Sequence, residues 1–378
     1  MYVPAWPGLG PTQLFRSRRP LGVPFPLSAS ERIYFYRARN AIYHLFRALG
    51  LHAGDTVLVP NYHSGNEVWP IRAAGATVRY YRIGRNLEPD LEELERLCRV
   101  HHPRALFVIH YLGWPQPMKE LVRLGQEREM ILVEDCALSL FSETLGQPLG
   151  SFGDYAIFCL YKTLPLPHGG LLVQNGHPLR ELTWLPFTPC GMASLAGRTA
   201  ELMLEWVRAR SDGLGRPLVA LKRGVGRTLS ALGLERLPVG EIGFELASVN
   251  TAISPWCLRL LTRLGYSQIR PRRRENFLWL RARLAGGATL LDRELDEGVC
   301  PLFFPILVRD KHAAAEALCQ RGIQAVQFWN YGDPNARDAS SDAEFLRAHL
   351  LELPIHQDVT AAQVEYVAEQ VLALGLRL

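Results

Sequence analysis

Lys162 and Asp135 are the two residues of this chain whose types and placement could do chemistry together. Lys162 lies in Phe158-Cys159-Leu160-Tyr161-Lys162-Thr163-Leu164, an apolar run that breaks at Pro165 and Pro167 and then meets Gly169-Gly170. Upstream, Met130-Ile131-Leu132-Val133 ends in Glu134-Asp135-Cys136-Ala137, which puts an aspartate at the carboxyl end of a predicted buried strand. A lysine amine condenses with an aldehyde, and a carboxylate on a pyridine nitrogen keeps that nitrogen protonated so that the ring accepts electrons. The pair suits pyridoxal phosphate. Alone, neither residue is specific: a lysine after an apolar run is ordinarily a solvated strand end, and an aspartate closing a strand is ordinarily a turn former.

Val133-Glu134-Asp135-Cys136-Ala137, then Gly150-Ser151-Phe152-Gly153-Asp154, then Lys162 with Gly169-Gly170 resemble the DegT/DnrJ/StrS-like aminotransferases, pyridoxal-phosphate enzymes that make amino sugars. The likeness extends to Arg39-Asn40-Ala41-Ile42, to the run from Gly54 to Pro60, to Arg321-Gly322-Ile323 and to Leu353-Pro354-Ile355-His356. It implies a fold-type I α/β transferase, a mostly parallel sheet sandwiched by helices with a smaller C-terminal α/β domain. The expected divisions are an N-terminal arm over 1–30, a large cofactor domain over 31–250 and a small domain over 251–378. By the same resemblance Lys162 holds the cofactor, Asp135 meets its ring nitrogen, and Arg39 and Asn40 face its phosphate. Tyr62 or His63 supplies a ring that stacks on the pyridine face, and Cys159 stands near the place of a phosphate-binding serine. A homodimer with sites at the subunit interface is also implied.

Three positions depart from the family pattern. Leu138 stands where a His or Gln usually contacts the cofactor hydroxyl, and no serine precedes Lys162 at the usual spacing. The Asn-Tyr-Arg-like segment is missing, with Glu241 to Ser248 in its approximate place. The implied reaction is transfer of an amino group from an amino acid such as glutamate to a nucleotide-linked keto sugar. A dehydratase or lyase using the same electron sink is the alternative, and a non-catalytic sensory or scaffold homologue is the third reading.

The elements that must position these residues alternate between strand and helix. Ala41, Ile42, Leu45, Phe46 and Leu49 repeat at helical spacing, with Gly50 closing that helix in the left-handed conformation. Strands are predicted over 56–59, 77–83, 105–110 and 130–134, with helices over 67–74 and 118–128. Asp90-Leu91-Glu92-Glu93 predicts a capping box for a helix to about Val100. This rhythm argues for a mostly parallel sheet covered on both faces, whose ligands bind beyond the carboxyl ends of the strands. Asp135 falls on that rim. The segment from about 175 to 240 is less regular: Leu202, Met203 and Trp206 share a helical face, and Arg208, Arg210, Lys222, Arg223 and Arg227 add charge near it.

Composition agrees with a folded enzyme. The chain has 378 residues, 48% hydrophobic and 21% charged, with a net charge of +5, enough for a large core and too little charge for disorder. Arg270 and Arg272 to Arg274 read as the polar start of an amphipathic helix and not as a nucleic-acid surface. Seven scattered cysteines without a Cys-x-x-Cys pair indicate neither disulfides nor zinc, so the expected setting is a reducing cytoplasm. No membrane span and no metal site are expected, and His356-Gln357-Asp358 reads as a loop before the last helix.

Overall fold

The computed structural model describes residues 1–15, 22–211, 243–330, 332–336 and 341–378; Lys222, Arg223, Arg227, Glu241 and Ile242 lie outside them. The main sheet begins with β1 (Arg32–Phe35), β2 (Thr56–Pro60), β3 (Thr77–Tyr81), β4 (Ala105–Ile109) and β5 (Ile131–Asp135). A small hairpin of β6 (Glu143–Thr144) and β7 (Gln147–Pro148) precedes β8 (Tyr155–Cys159) and β9 (Gly170–Gln174). Strand order is β1-β9-β8-β5-β4-β2-β3. β3, β2, β4, β5 and β8 run parallel, and β9 and β1 finish one edge antiparallel. Every residue of β4, β8 and β9 is buried, which is why these strands read as continuous apolar runs.

Between the strands lie α2 (Ala38–Ala48), α3 (Val68–Ala73), α4 (Leu91–His101) and α5 (Met118–Glu127), with a short α1 (Pro11–Phe15) before them and α6 (Met192–Arg210) after. Gly50 has φ +67°, as its place after α2 predicts. The capping box at α4 is only half present. Asp90 accepts the Glu93 N–H at 3.0 Å, but the Glu93 carboxylate turns to the Arg82 N–H at 2.7 Å.

From β2 the chain crosses first to β3 on one side and then to β4 on the other. The strand order therefore reverses at β2, and a ligand crevice is expected beyond the carboxyl ends there. A three-stranded antiparallel sheet, β10 (Thr289–Leu290), β11 (Phe303–Leu307) and β12 (Leu350–Pro354), forms the smaller C-terminal layer. The helix Ile269–Leu284 buries Arg273, whose guanidinium binds the carbonyls of Pro301 and Leu302 and the Gln357 side chain. Gln357 in turn donates to the Thr163 carbonyl at 3.0 Å, joining this layer to the lysine loop. No helix among the described residues is long and apolar enough to cross a membrane.

Candidate active site

Asp135 is the last residue of β5, paired in register with Ile157 of the adjacent β8. After β8 the chain makes one tight helical turn, Leu160–Lys162, so the lysine emerges on the rim beside the aspartate. Both line a cleft of about 230 Å³. A turn built from the glycines that follow β7 fixes the aspartate's neighbour. Glu134, fully buried, accepts the N–H groups of Gly150, Phe152 and Gly153 at 2.9, 2.8 and 2.6 Å. It also meets His110 Nε2 at 3.0 Å, while His110 Nδ1 accepts from the Gln116 N–H. His110, Glu134 and Cys136 lie close enough to hold a metal ion, but these bonds already occupy the imidazole and the carboxylate, and burial holds the Cys136 thiol well above its ordinary pKa.

The Asp135 carboxyl is 3% exposed. Burial first, and then the neighbouring Glu67 carboxylate, push it up to about 7, against the Ala137 N–H and Lys162. A cationic ring nitrogen in the cleft would reverse that, since an adjacent positive charge favours the ionised form. The start of α2 lines the cleft too. Arg37 is 5% exposed, and its Nε and Nη2 are buried without a hydrogen-bond partner; Arg39 lines the same wall. A Cβ on Gly170 would lie 2.3 Å from the Arg37 carbonyl carbon, so only glycine lets β9 pass this close under the helix start. Two guanidiniums at a helix N-terminus suit a phosphate. The cleft thus gathers two guanidiniums, two carboxyls and a lysine in one lining, and this donor set fits pyridoxal phosphate.

Of the residues expected at the cofactor, Lys162, Asp135, Arg39 and Cys159 line the cleft. Asn40 does not; its amide donates to the carbonyls of Ser248 and Val249 at 3.0 and 2.9 Å, and the Arg39 guanidinium also reaches the Gly243 carbonyl. The segment 243–249 is therefore docked on the start of α2. Tyr62 and His63 do not line the cleft either. The Tyr62 ring is buried edge-on to Trp329, and the His63 ring stacks on Tyr80 at 5.4 Å. Arg347 determines this by holding the carbonyls of Asn61 and His63 at 2.8 and 2.9 Å, which turns the chain inward after β2. Burial and Arg347 push the His63 imidazole down to about 3. Leu138 is buried beside Tyr62 and Tyr111.

Sequence reasoning missed Arg37, Ser64, Glu67, Phe328 and Trp329, all of which line the cleft. Arg37 was recoverable from its place two residues before Arg39, and Ser64 and Glu67 from the polar run after Pro60. Glu67 is bound by the Ser64 N–H and hydroxyl at 3.1 and 2.9 Å. Phe328 and Trp329 carry no local signal, because they arrive from the distant C-terminal layer.

Residues 33–203 match the model of the DegT/DnrJ/EryC1/StrS aminotransferase family. The chain is 29% identical over 144 residues to the GDP-perosamine synthase of Escherichia coli O157:H7, covering 37% of this chain and 39% of that protein. Over 244 residues it is 25% identical to a dTDP-4-dehydro-2,3,6-trideoxy-D-glucose 4-aminotransferase of Saccharopolyspora spinosa, covering 62% and 60%. The fold matches that of Helicobacter pylori PseC, an aminotransferase of pseudoaminic acid biosynthesis, with a TM-score of 0.65, 18% identity and 98% of each chain covered. The stretch that matches the family model is the one that carries Arg37, Asp135 and Lys162, and the chain spans less than two thirds of the length of the curated relatives named above.

Proposed function

We propose that the protein is a pyridoxal-phosphate-dependent aminotransferase that moves an amino group from an amino acid such as glutamate to a nucleotide-linked keto sugar. The observation that carries this reading is the cleft itself, with Lys162 and Asp135 at adjacent strand ends and in the same lining the Arg37 guanidinium, whose buried Nε and Nη2 have no hydrogen-bond partner. The substrate class is supported by relatives named for perosamine and trideoxyglucose chemistry.

When bound, pyridoxal phosphate supplies an aldehyde that takes an amine and a ring that accepts an electron pair. Arg37 and Arg39 would hold its phosphate by charge-assisted hydrogen bonds. The Asp135 carboxylate, oriented by the Ala137 N–H at 2.8 Å, would keep a proton on the ring nitrogen. Lys162 Nζ would be the attachment point, and once free it would take the proton from the substrate carbon bearing nitrogen. Glu134 moves no proton; it fixes the strand end from which Asp135 projects.

A homodimer belongs to the same reading. Trp184, in the segment before α6, is 89% exposed and Met192, at its start, 74%, apolar surface of the kind that a second copy covers. The seven cysteines are all free thiols, which fits a reducing cytoplasm. The test is the half-reaction. Addition of glutamate to protein loaded with pyridoxal phosphate should replace the visible band of the aldehyde form by that of the pyridoxamine form, and a keto sugar nucleotide should restore it. Absence of any half-reaction across a panel of amino acids would favour the dehydratase or lyase.

A further inference from the structure

The wall of the cleft opposite the sheet is made by the segment 327–330, and its construction is unusual. Phe328 lines both the cofactor cleft and a second, larger groove of about 960 Å³ that reaches Lys162 from the side of α6 and the helix Lys311–Gln320. Tyr161, Lys162, Gln327 and Phe328 line both spaces, with Lys162 Nζ 5.4 Å from the Phe328 ring centroid. No ring from the loop after β2 reaches the cleft, since Tyr62 and His63 are turned inward. The aromatic surface facing the lysine comes instead from the C-terminal layer.

Three buried ionic side chains hold that segment by its backbone. Lys311 Nζ donates to the Phe328 carbonyl at 2.6 Å, and the Phe328 N–H donates to Glu352 Oε2 at 3.2 Å. Arg347 Nη1 donates to the Trp329 carbonyl at 3.0 Å. Trp329 has φ +56°, a left-handed conformation that a bulky residue adopts only where its surroundings impose it. Lys311 and Glu352 are 2% and 1% exposed. Burying two ionisable groups costs stability unless they are well paired, and core packing alone would be served by apolar residues. Fixing the backbone of one aromatic residue is what this arrangement accomplishes.

We propose that Phe328 is the positioning residue of Lys162, an aromatic wall that keeps the amine directed into the cofactor cleft, and that Lys311, Glu352 and Arg347 are the frame that fixes it. The proposal rests on the reading that the cleft takes pyridoxal phosphate. A cationic amine is attracted to the face of an aromatic ring, and the attraction is stronger where water is excluded. Leucine keeps the apolar volume and removes that face, while Lys311→Met removes the bond that anchors the Phe328 carbonyl.

The experiment has two arms. In cofactor-free protein, the rate at which acetic anhydride labels Lys162 is followed by peptide mass spectrometry, with Lys119 as internal reference. Phe328→Leu and Lys311→Met should each raise the labelling of Lys162 relative to Lys119 severalfold. In the second arm, the dissociation constant of pyridoxal phosphate is measured, and Phe328→Leu should raise it severalfold, because an amine no longer held toward the cleft loses its pre-organisation for the aldehyde. The circular dichroism of the bound cofactor's visible band should change with it. Labelling and cofactor binding both unchanged in folded Phe328→Leu protein would overturn the proposal. If the unmodified protein takes up no pyridoxal phosphate, the functional reading fails, while the labelling arm still decides whether Phe328 shields the lysine.

Discussion

The Asp135 carboxyl is pushed up to about 7 by burial and by Glu67, and the sign of that shift sets how the cofactor-free protein responds to pH. A folded-state value above the unfolded one near 3.8 means that folding favours the protonated form. The associated stability is therefore full below about pH 4 and is lost as pH rises through 7. Cofactor-free Asp135→Asn protein should thus be more stable than the unmodified protein at pH 8, by roughly 2–4 kcal/mol, with the difference vanishing near pH 4. Urea denaturation at the two pH values measures this, and equal stability at both would remove Asp135 from that environment. With cofactor present the same variant should keep binding but turn over slowly. At the start of α2, Arg37→Met should weaken pyridoxal phosphate about 10- to 100-fold, the range for a charge-assisted hydrogen bond in a buried site, and leave pyridoxal without its phosphate unaffected. Comparable losses for both ligands would place the phosphate elsewhere.

The rim depends on elements that hold one another by backbone bonds. Glu134 accepts three N–H groups from the turn before β8 and meets His110. Replacing it by Gln turns an acceptor into a group that is half donor, facing N–H groups it cannot satisfy. Glu134→Gln should cost about 3 kcal/mol in denaturant unfolding, and a loss under 1 kcal/mol would show that the turn holds without it. β4 and β5 were legible in the sequence because they are bounded apolar runs, and Gly50 and Asp90 mark helix ends by well-defined backbone chemistry. β1 was not legible: Arg32-Ile33-Tyr34-Phe35 is short and only its last residue is buried. Which way Tyr62 and His63 face was equally hidden. Arg347, 284 residues away along the chain from His63, decides it, and no local spacing reports a contact of that separation. The same distance hid Phe328, whereas Lys162 and Asp135 could be read because Asp135 closes an apolar run and Lys162 stands within one.

For the molecule as a whole, the large parallel sheet supplies the floor of the site and the C-terminal layer supplies its aromatic wall, so the cleft exists only when both are folded. The exposed Trp184, Phe187 and Met192 predict that the protein sediments as a dimer at micromolar concentration and that Trp184→Glu shifts it toward monomer; a monomeric unmodified protein would contradict the dimer. In the proposed reaction one lysine of the chain, Lys162, carries the chemistry. Lysines stand at positions 119, 162, 222 and 311, and Lys162 is the one among the described residues that lines the cleft beside Asp135. Loading the protein with pyridoxal phosphate, reducing it with borohydride and mapping the modified peptides tests this directly. The predicted result is stoichiometric modification of Lys162 and loss of that modification in Lys162→Ala protein; modification spread over other lysines, or none at all, would contradict it.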